Sequence, residues 1–146
     1  MGTRRKSREL ALQALYQGEQ AGQNGLLVFE EFCDHFQVNK KAIPYAKKLL
    51  DGVQEKADAI NQLICKYAEN WRLERMSVID RNILRLAVYE VYYQDDVPIS
   101  VAINEAVEIA KSYSTDDSAP FINGILDSMA KEEASRGEGI VKTNLS

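Results

Sequence analysis

Apolar residues dominate one stretch of the chain, SVIDRNILRLAVYEVYY, which runs from Ser77 to Tyr93. After Leu84 only Arg85 and Glu90 are charged within it. A helix that is apolar on nearly every side is stable only when other helices cover it. The stretch is too short, and too charged at its start, to span a bilayer, which needs roughly 20 apolar residues. It is therefore predicted to be the central helix of a helical domain.

The same stretch opens with a signal for a helix N-terminus. Ser77 and Asp80 have the spacing of a capping box, in which the serine side chain accepts a hydrogen bond from the amide of Asp80. In that motif the carboxylate of Asp80 also reaches back to the amide of Ser77. We therefore expect the central helix to begin at this pair of residues.

Elsewhere apolar positions recur at steps of three and four residues, which indicates further amphipathic helices. The predicted helices run from Thr3 to about Ala21, from Leu26 to Phe36, from Pro44 to Tyr67 as one long helix, from about Pro98 to Tyr113, and from about Asp117 to Lys131. Trp71, Leu73 and Met76 are expected to fill the core at the joint before the central helix. No run alternates with period two, so the fold is predicted to be all-α with about six or seven helices.

A chain of 146 residues has the length of one domain, or of two small subdomains that share a core. After Lys131 the periodicity is lost, and residues 132–146 are expected to form a disordered tail. Neither a signal peptide nor a membrane span is indicated by any apolar run. Cys33 and Cys65 are expected to be small core residues in a reducing cytoplasm, without a disulfide or a metal site.

The charge of the chain is unevenly distributed. The net charge is −4, yet four of the 18 basic residues lie within five positions near the N-terminus. These four residues, called the N-terminal cluster below, are Arg4, Arg5, Lys6 and Arg8. Its arginines fall within about a third of a helical turn, so they form one patch. The patch is either a solvated helix end or a surface that contacts phosphates. In both cases, charge reversal at Arg5 and Arg8 is expected to leave folding stability nearly unchanged.

Motifs for catalysis are absent from the sequence. It contains no Walker A, Rossmann, HExxH or GxSxG pattern, and His35 is its only histidine. The pairs Asp95–Asp96 and Asp116–Asp117 lie at predicted helix boundaries, where a cap or a solvated turn explains them better than acid–base chemistry. We therefore expect a binding protein rather than an enzyme, with no cofactor and no metal.

Three segments together resemble the NusB family. They are RRKSRELALQALYQ, IDRNILRLAVYE and DVPISVAINEAVEIAKSYSTDDSAPFINGILD, and the resemblance covers residues 3 to about 131. It implies an all-helical fold of two three-helix subdomains, about residues 3–70 and about residues 71–131. It also implies a cytoplasmic antitermination factor that binds single-stranded boxA RNA together with the ribosomal protein NusE. That complex helps RNA polymerase to read through terminators during ribosomal RNA synthesis.

The resemblance assigns expected roles by position. The N-terminal cluster matches the arginine-rich start of the family, which contacts RNA; lysine at position 6 keeps the charge but lacks the fork of a guanidinium. Phe121 matches an aromatic residue on the RNA side, and its alternative role is that of a core phenylalanine. Asp117 matches an acidic residue of the preceding loop, where a helix cap is the simpler role. Glu74 and Asp80 match acidic positions that face NusE.

Two other interpretations stay open at this point. The same fold occurs as an RNA-binding module at the N-terminus of some ribosomal RNA cytosine methyltransferases, but no methyl-donor-binding domain is evident in these residues. A purely protein-binding helical bundle would leave the N-terminal cluster without a role. A homodimer is compatible with any of these interpretations.

Overall fold

The computed structural model describes residues 2–35, 38–69 and 72–135. Within these ranges all regular structure is helical, which confirms the all-α prediction. The α-helices are α1 (Thr3–Ala21), α2 (Gly25–His35), α3 (Ile43–Glu55), α4 (Ala57–Ala68), α5 (Val78–Tyr93), α6 (Ile99–Tyr113) and α7 (Ser118–Ser135). Two short 3-10 helices span Lys40–Ala42 and Leu73–Arg75. None of the helices in these ranges combines the length and the apolarity needed to cross a membrane.

The contacts divide the chain into two units, and the first ends at Glu55. In this unit α1 packs against α2 and α3, which also contact each other. The Ser7 hydroxyl donates to the carbonyl oxygen of Ala42 at 2.7 Å and so joins α1 to the 3-10 helix Lys40–Ala42. The largest side chains that close this core are Leu10, Leu12, Phe29, Tyr45, Leu49 and Leu50.

The turn between α1 and α2 brings two backbone segments very close. Gly22 ends α1 with φ 67° and ψ 32°, a left-handed conformation that glycine adopts without a steric penalty. One turn earlier, a Cβ on Gly18 would lie 2.7 Å from the carbonyl oxygen of Gln23 and 3.2 Å from the Cα of Gly25. A side chain at Gly18 would therefore push the two helices apart.

The second unit begins at Lys56 and is built around α5. Helices α4, α6 and α7 all pack against α5, and α7 also contacts α4 and α6. From Asn82 to Tyr92 every residue except Arg85 is buried. The prediction of a central helix is thus confirmed within this unit, because the apolar circumference of α5 is covered from three sides.

The prediction of one continuous helix from Pro44 to Tyr67 is wrong. α3 ends at Glu55, Lys56 has φ −104° and ψ 21°, and α4 starts at Ala57. The apolar spacing runs through the break without a change of phase, so the hydrophobic pattern could not reveal it. The break coincides with the division between the units, earlier in the chain than the boundary near residue 70 that the resemblance implied.

The exposure of the two cysteines differs from the expectation that both belong to the core. Cys33 is half-buried and Cys65 is exposed, so the core role expected for Cys65 is wrong. The buried stripe of α4 consists of Ile60, Ile64 and Ala68, and Cys65 lies about 100° around the helix from Ile64.

The two ends of the α5–α7 segment also differ in detail from the expectations. At the joint before α5, Met76 is buried and Leu73 is only half-buried, while Trp71 lies outside the described residues. At the other end α7 continues to Ser135, so the disordered tail expected from residue 132 is wrong for its first four positions. Residues 136–146 and the side chain of His35 also lie outside the described part.

Two glycine variants test the close approach between α1 and α2. Gly18→Ala is expected to lower the free energy of unfolding by about 1–3 kcal/mol, because the new methyl group overlaps the Gln23 carbonyl. Gly124→Ala in α7 is the matched control, since a Cβ there meets nothing within 4 Å. It should stabilise the protein by about 0.5–1 kcal/mol through helix propensity. Denaturant melts measure both values, and shifts of the same sign would contradict the steric argument.

Candidate functional site

The members of the N-terminal cluster occupy different environments on α1. Arg4 and Lys6 are exposed, Arg5 is half-buried, and Arg8 is only 5% exposed. Lys6 Nζ lies 3.6 Å from Glu9 Oε1, in an ion pair on the helix surface. The structure therefore places three of the four cations where a ligand can approach them, and it places the fourth within the protein.

Tyr45 supports this cluster from α3, a role that was not predicted from the sequence. The guanidinium carbon of Arg4 lies 3.8 Å from the Tyr45 ring centroid, and that of Arg8 lies 5.9 Å from it. Cations are attracted to the face of an aromatic ring at such distances. The ring is only 8% exposed, so it belongs to the packing between α1 and α3. Its only sequence signal was its place on the buried stripe of α3.

Arg8 is the one member of the N-terminal cluster that is buried. One turn further along α1, Ala11 and Leu12 are buried on either side of its position, so Arg8 lies within the packed face of the helix. A buried guanidinium needs partners and tolerates a carboxylate replacement poorly. We therefore expect charge reversal at Arg8 to lower folding stability, whereas the sequence alone led us to expect nearly unchanged stability.

A groove of about 270 Å³ opens in the second unit, between the start of α5 and the segment that joins α6 to α7. It contains three of the residues proposed from the resemblance, Asp80, Asp117 and Phe121. Glu74 does not line it but lies next to the lining residue Arg75, with an exposed side chain. The complete lining is Arg75, Met76, Ser77, Asp80, Thr115, Asp117, Ser118 and Phe121.

Asp80 has contacts on both sides of the groove. Its backbone N–H donates to Ser77 Oγ at 3.1 Å, which confirms the first half of the predicted capping box. Its carboxylate does not return to the amide of Ser77, so the second half is wrong. Instead Oδ1 accepts from the Ser114 hydroxyl at 2.6 Å and Oδ2 from the Ser118 hydroxyl at 2.8 Å. Sequence spacing carried no signal for these donors, because they come from a distant segment.

Asp117 and Phe121 present different surfaces to the groove. The carbonyl oxygen of Asp117 accepts from the Phe121 N–H at 3.4 Å, so its backbone starts α7. The Asp117 carboxylate is exposed and bonds no other described residue, so the side-chain cap expected for it is not formed. Phe121 is half-buried rather than part of the core. Phe121 and Met76 thus give the groove apolar surface, and Arg75 and Asp117 give it opposite charges.

Both candidate surfaces are suited to binding. The described residues hold no group of three or more His, Cys, Asp and Glu side chains that could bind a metal ion. A cationic patch on one unit and a partly apolar groove on the other, both on packed helices, define an all-helical binding protein. The chain belongs to the NusB family, whose family model matches residues 5–131.

Relatives match nearly the whole chain. The transcription antitermination protein NusB of Desulfotalea psychrophila is 50% identical over 135 residues, which cover 88% of this chain and 96% of that protein. NusB of Desulforudis audaxviator is 46% identical over 129 residues, or 88% of this chain and 94% of that protein. The structure of T. maritima NusB superposes with a TM-score of 0.81 at 44% identity, covering 92% of this chain and 94% of that chain.

A further solved structure contains ligands. It is the crystal structure of the antitermination factors NusB and NusE in complex with dsRNA. Its matching chain superposes with a TM-score of 0.80 at 28% identity, covering 90% of this chain and 98% of that chain.

Two charge reversals on α1 test the burial of Arg8. Arg8→Glu is expected to lower the free energy of unfolding by on the order of 1–3 kcal/mol, because it places a carboxylate in a buried position. Arg4→Glu makes the same change of charge at an exposed position in the first helical turn, where an anion suits the helix dipole. It should change stability by less than about 1 kcal/mol. Equal losses in urea melts of the two variants would refute the structural role of Arg8.

Proposed function

We propose that this protein is a transcription antitermination factor that binds single-stranded boxA RNA together with NusE. The observation that carries the proposal is the match of nearly the whole fold to the NusB chain of the NusB–NusE–dsRNA structure. Relatives at 46% and 50% identity are transcription antitermination proteins matched over 94% and 96% of their own lengths. Such coverage favours this function over an RNA-binding module of a methyltransferase or a purely protein-binding bundle.

In this proposal the N-terminal cluster contacts RNA phosphates. Arg4, Arg5 and Lys6 offer cationic groups on the surface of α1, and they stand out against a net charge of −4 for the whole chain. Tyr45 orients Arg4 through the contact between its ring and the guanidinium. Arg8 contributes mainly by fixing this end of α1, since it is buried.

The groove in the second unit is the proposed second RNA contact. A half-buried aromatic ring such as that of Phe121 leaves part of its face available for stacking with an unpaired base. The exposed Asp117 carboxylate repels phosphates but accepts hydrogen bonds from base amino groups. This combination favours a splayed base over a backbone segment at the groove.

The resemblance assigned Glu74 and Asp80 to the NusE surface, and of these two we propose Glu74 as the direct contact. Glu74 has an exposed carboxylate on the 3-10 helix Leu73–Arg75, so a basic group of a partner can pair with it directly. Asp80 already accepts two hydroxyl groups within its own unit. Glu74 is therefore the stronger candidate for a direct contact with NusE.

The proposed role is binding rather than catalysis. The sequence offers no nucleophile–base arrangement, and the relatives are named for transcription antitermination. We further infer that the protein works in the cytoplasm as part of an antitermination complex on RNA polymerase, where its RNA ligand is made.

The first test concerns the salt dependence of RNA binding. If the three accessible cations contact phosphates, binding of a boxA oligonucleotide should weaken as the salt concentration rises. A plot of the logarithm of the association constant against the logarithm of the salt concentration should have a slope of about −2. Arg4→Glu combined with Arg5→Glu should reduce the magnitude of that slope by about 1 or more. Fluorescence anisotropy at several salt concentrations measures the slope.

Control variants separate a local contact from total charge. Lys111→Glu with Lys131→Glu changes the net charge equally at exposed positions of the second unit, and it should leave the slope nearly unchanged. Similar slopes in both double variants would rule out the N-terminal cluster as the phosphate contact. A duplex of the same sequence serves as a competitor, and preference for the duplex would contradict recognition of a single strand.

The second test concerns cooperation between RNA and NusE. An acidic protein with one small basic patch should bind RNA weakly alone, and a basic partner that extends the patch should raise the affinity. Because linkage is reciprocal, RNA must tighten NusE binding by the same factor. Calorimetric titrations of each ligand with and without the other measure both factors. Independent binding of RNA and NusE would defeat the proposal.

A further inference from the structure

The hydroxyl groups around Asp80 form an ordered set of hydrogen bonds. An ionised carboxylate only accepts, so Ser114 and Ser118 must each use their single hydroxyl proton toward Asp80, at 2.6 and 2.8 Å. Neither proton is then available for the 2.8 Å contact between the two serines. Thr115 must therefore be the donor in its 3.1 Å hydrogen bond with Ser118. One carboxylate thus fixes the direction of three hydroxyl groups.

The position of this carboxylate is also favourable electrostatically. Asp80 lies in the first turn of α5, and Ser118 is the first residue of α7. Helix N-termini carry partial positive charge, so one carboxylate is stabilised by two helices at once. Ser118 is 3% exposed, which shields its bond to Asp80 from competing water. The carboxylate therefore anchors the beginning of α7 to the beginning of α5.

The anchored segment provides one wall of the groove. Thr115, Asp117 and Ser118 line the groove from this segment, and Phe121 follows one turn later on α7. The hydrogen bond from Ser118 N–H to the Thr115 carbonyl, at 3.0 Å, closes the turn that joins Ser114 to Ser118, and Phe121 follows this turn. Displacement of Ser114 and Ser118 would therefore move Asp117 and the ring of Phe121.

We propose that Asp80 is a positioning residue for the groove, and that it holds Ser114 and Ser118 so that Asp117 and Phe121 are preset for the RNA ligand. The inference rests on the proposed function for its RNA part only. It differs from the role implied by the family resemblance, in which Asp80 contacts NusE. Preset binding groups raise affinity because less order has to be created during binding.

The first measurement is hydrogen exchange of the backbone amides of Ser118 and Phe121, which are hydrogen-bonded within the segment. Both Asp80→Ala and the pair Ser114→Ala with Ser118→Ala should speed this exchange by on the order of ten- to a hundredfold, the factor expected for lost charge-assisted hydrogen bonds. The triple variant should exchange no faster than the faster of the two, because both changes remove the same interaction. The control pair, Ser112→Ala with Ser128→Ala, removes exposed hydroxyl groups from α6 and α7 and should have no effect.

The second measurement is binding of boxA RNA and of NusE to the same variants. The serine pair should lower RNA affinity about as much as Asp80→Ala does, on the order of tenfold, while NusE affinity without RNA stays as in the wild type. If Asp80→Ala loses NusE affinity while the variant with both serines replaced binds NusE as the wild type does, Asp80 contacts NusE directly. That result would overturn the proposal.

The remaining outcomes also decide the question. Unchanged exchange in the serine pair, or additive effects in the triple variant, would overturn the anchor itself. Faster exchange with unchanged RNA affinity would overturn its link to binding. Wild-type protein that does not bind RNA at all would refute the proposed function instead, and the exchange data would still decide whether Asp80 anchors the segment.

Discussion

Burial of α5 is the constraint on which the second unit depends. A helix that is apolar on nearly every side must be covered, and α4, α6 and α7 cover it. Its two most buried polar side chains are Asn82 and Glu90. Asn82 donates to the Val78 carbonyl at 2.9 Å and accepts from Arg85 at 2.9 Å, so its burial leaves its amide satisfied. Packing of α6 and α7 on α5 also brings their connecting segment to the N-terminus of α5, where the groove forms.

The two candidate surfaces are built by different means. The N-terminal cluster gains its organisation from one aromatic ring, since Tyr45 contacts the guanidinium groups of Arg4 and Arg8. The groove gains its organisation from one carboxylate, that of Asp80. Tyr45 is buried, whereas Asp80 is half-buried and lines the groove that it organises.

Features that depend on residues close together in the sequence were predicted more accurately than features that depend on tertiary packing. The bounds of α1 and α6 and the start of α5 were predicted closely, because caps and turn residues act over a few positions. The break at Lys56 was missed, because one non-helical residue left the apolar spacing in phase. Burial was predicted less well for single side chains. Arg8 is buried although it is charged, and Cys65 is exposed although its neighbour Ile64 is buried, because the packing of neighbouring helices decides which side chains are covered.

By itself the sequence determined the helical class, the central place of α5 and the family, since each depends on local patterns or on matching segments along the chain. Only the tertiary structure decided which distant side chains meet. Asp80 lies 34 positions from Ser114 and 38 from Ser118, and nothing in their spacing links them. Their hydrogen bonds exist because the packing of α6 and α7 on α5 sets distances that local patterns do not encode. The place of Asp80 in the groove is therefore a property of the packed unit.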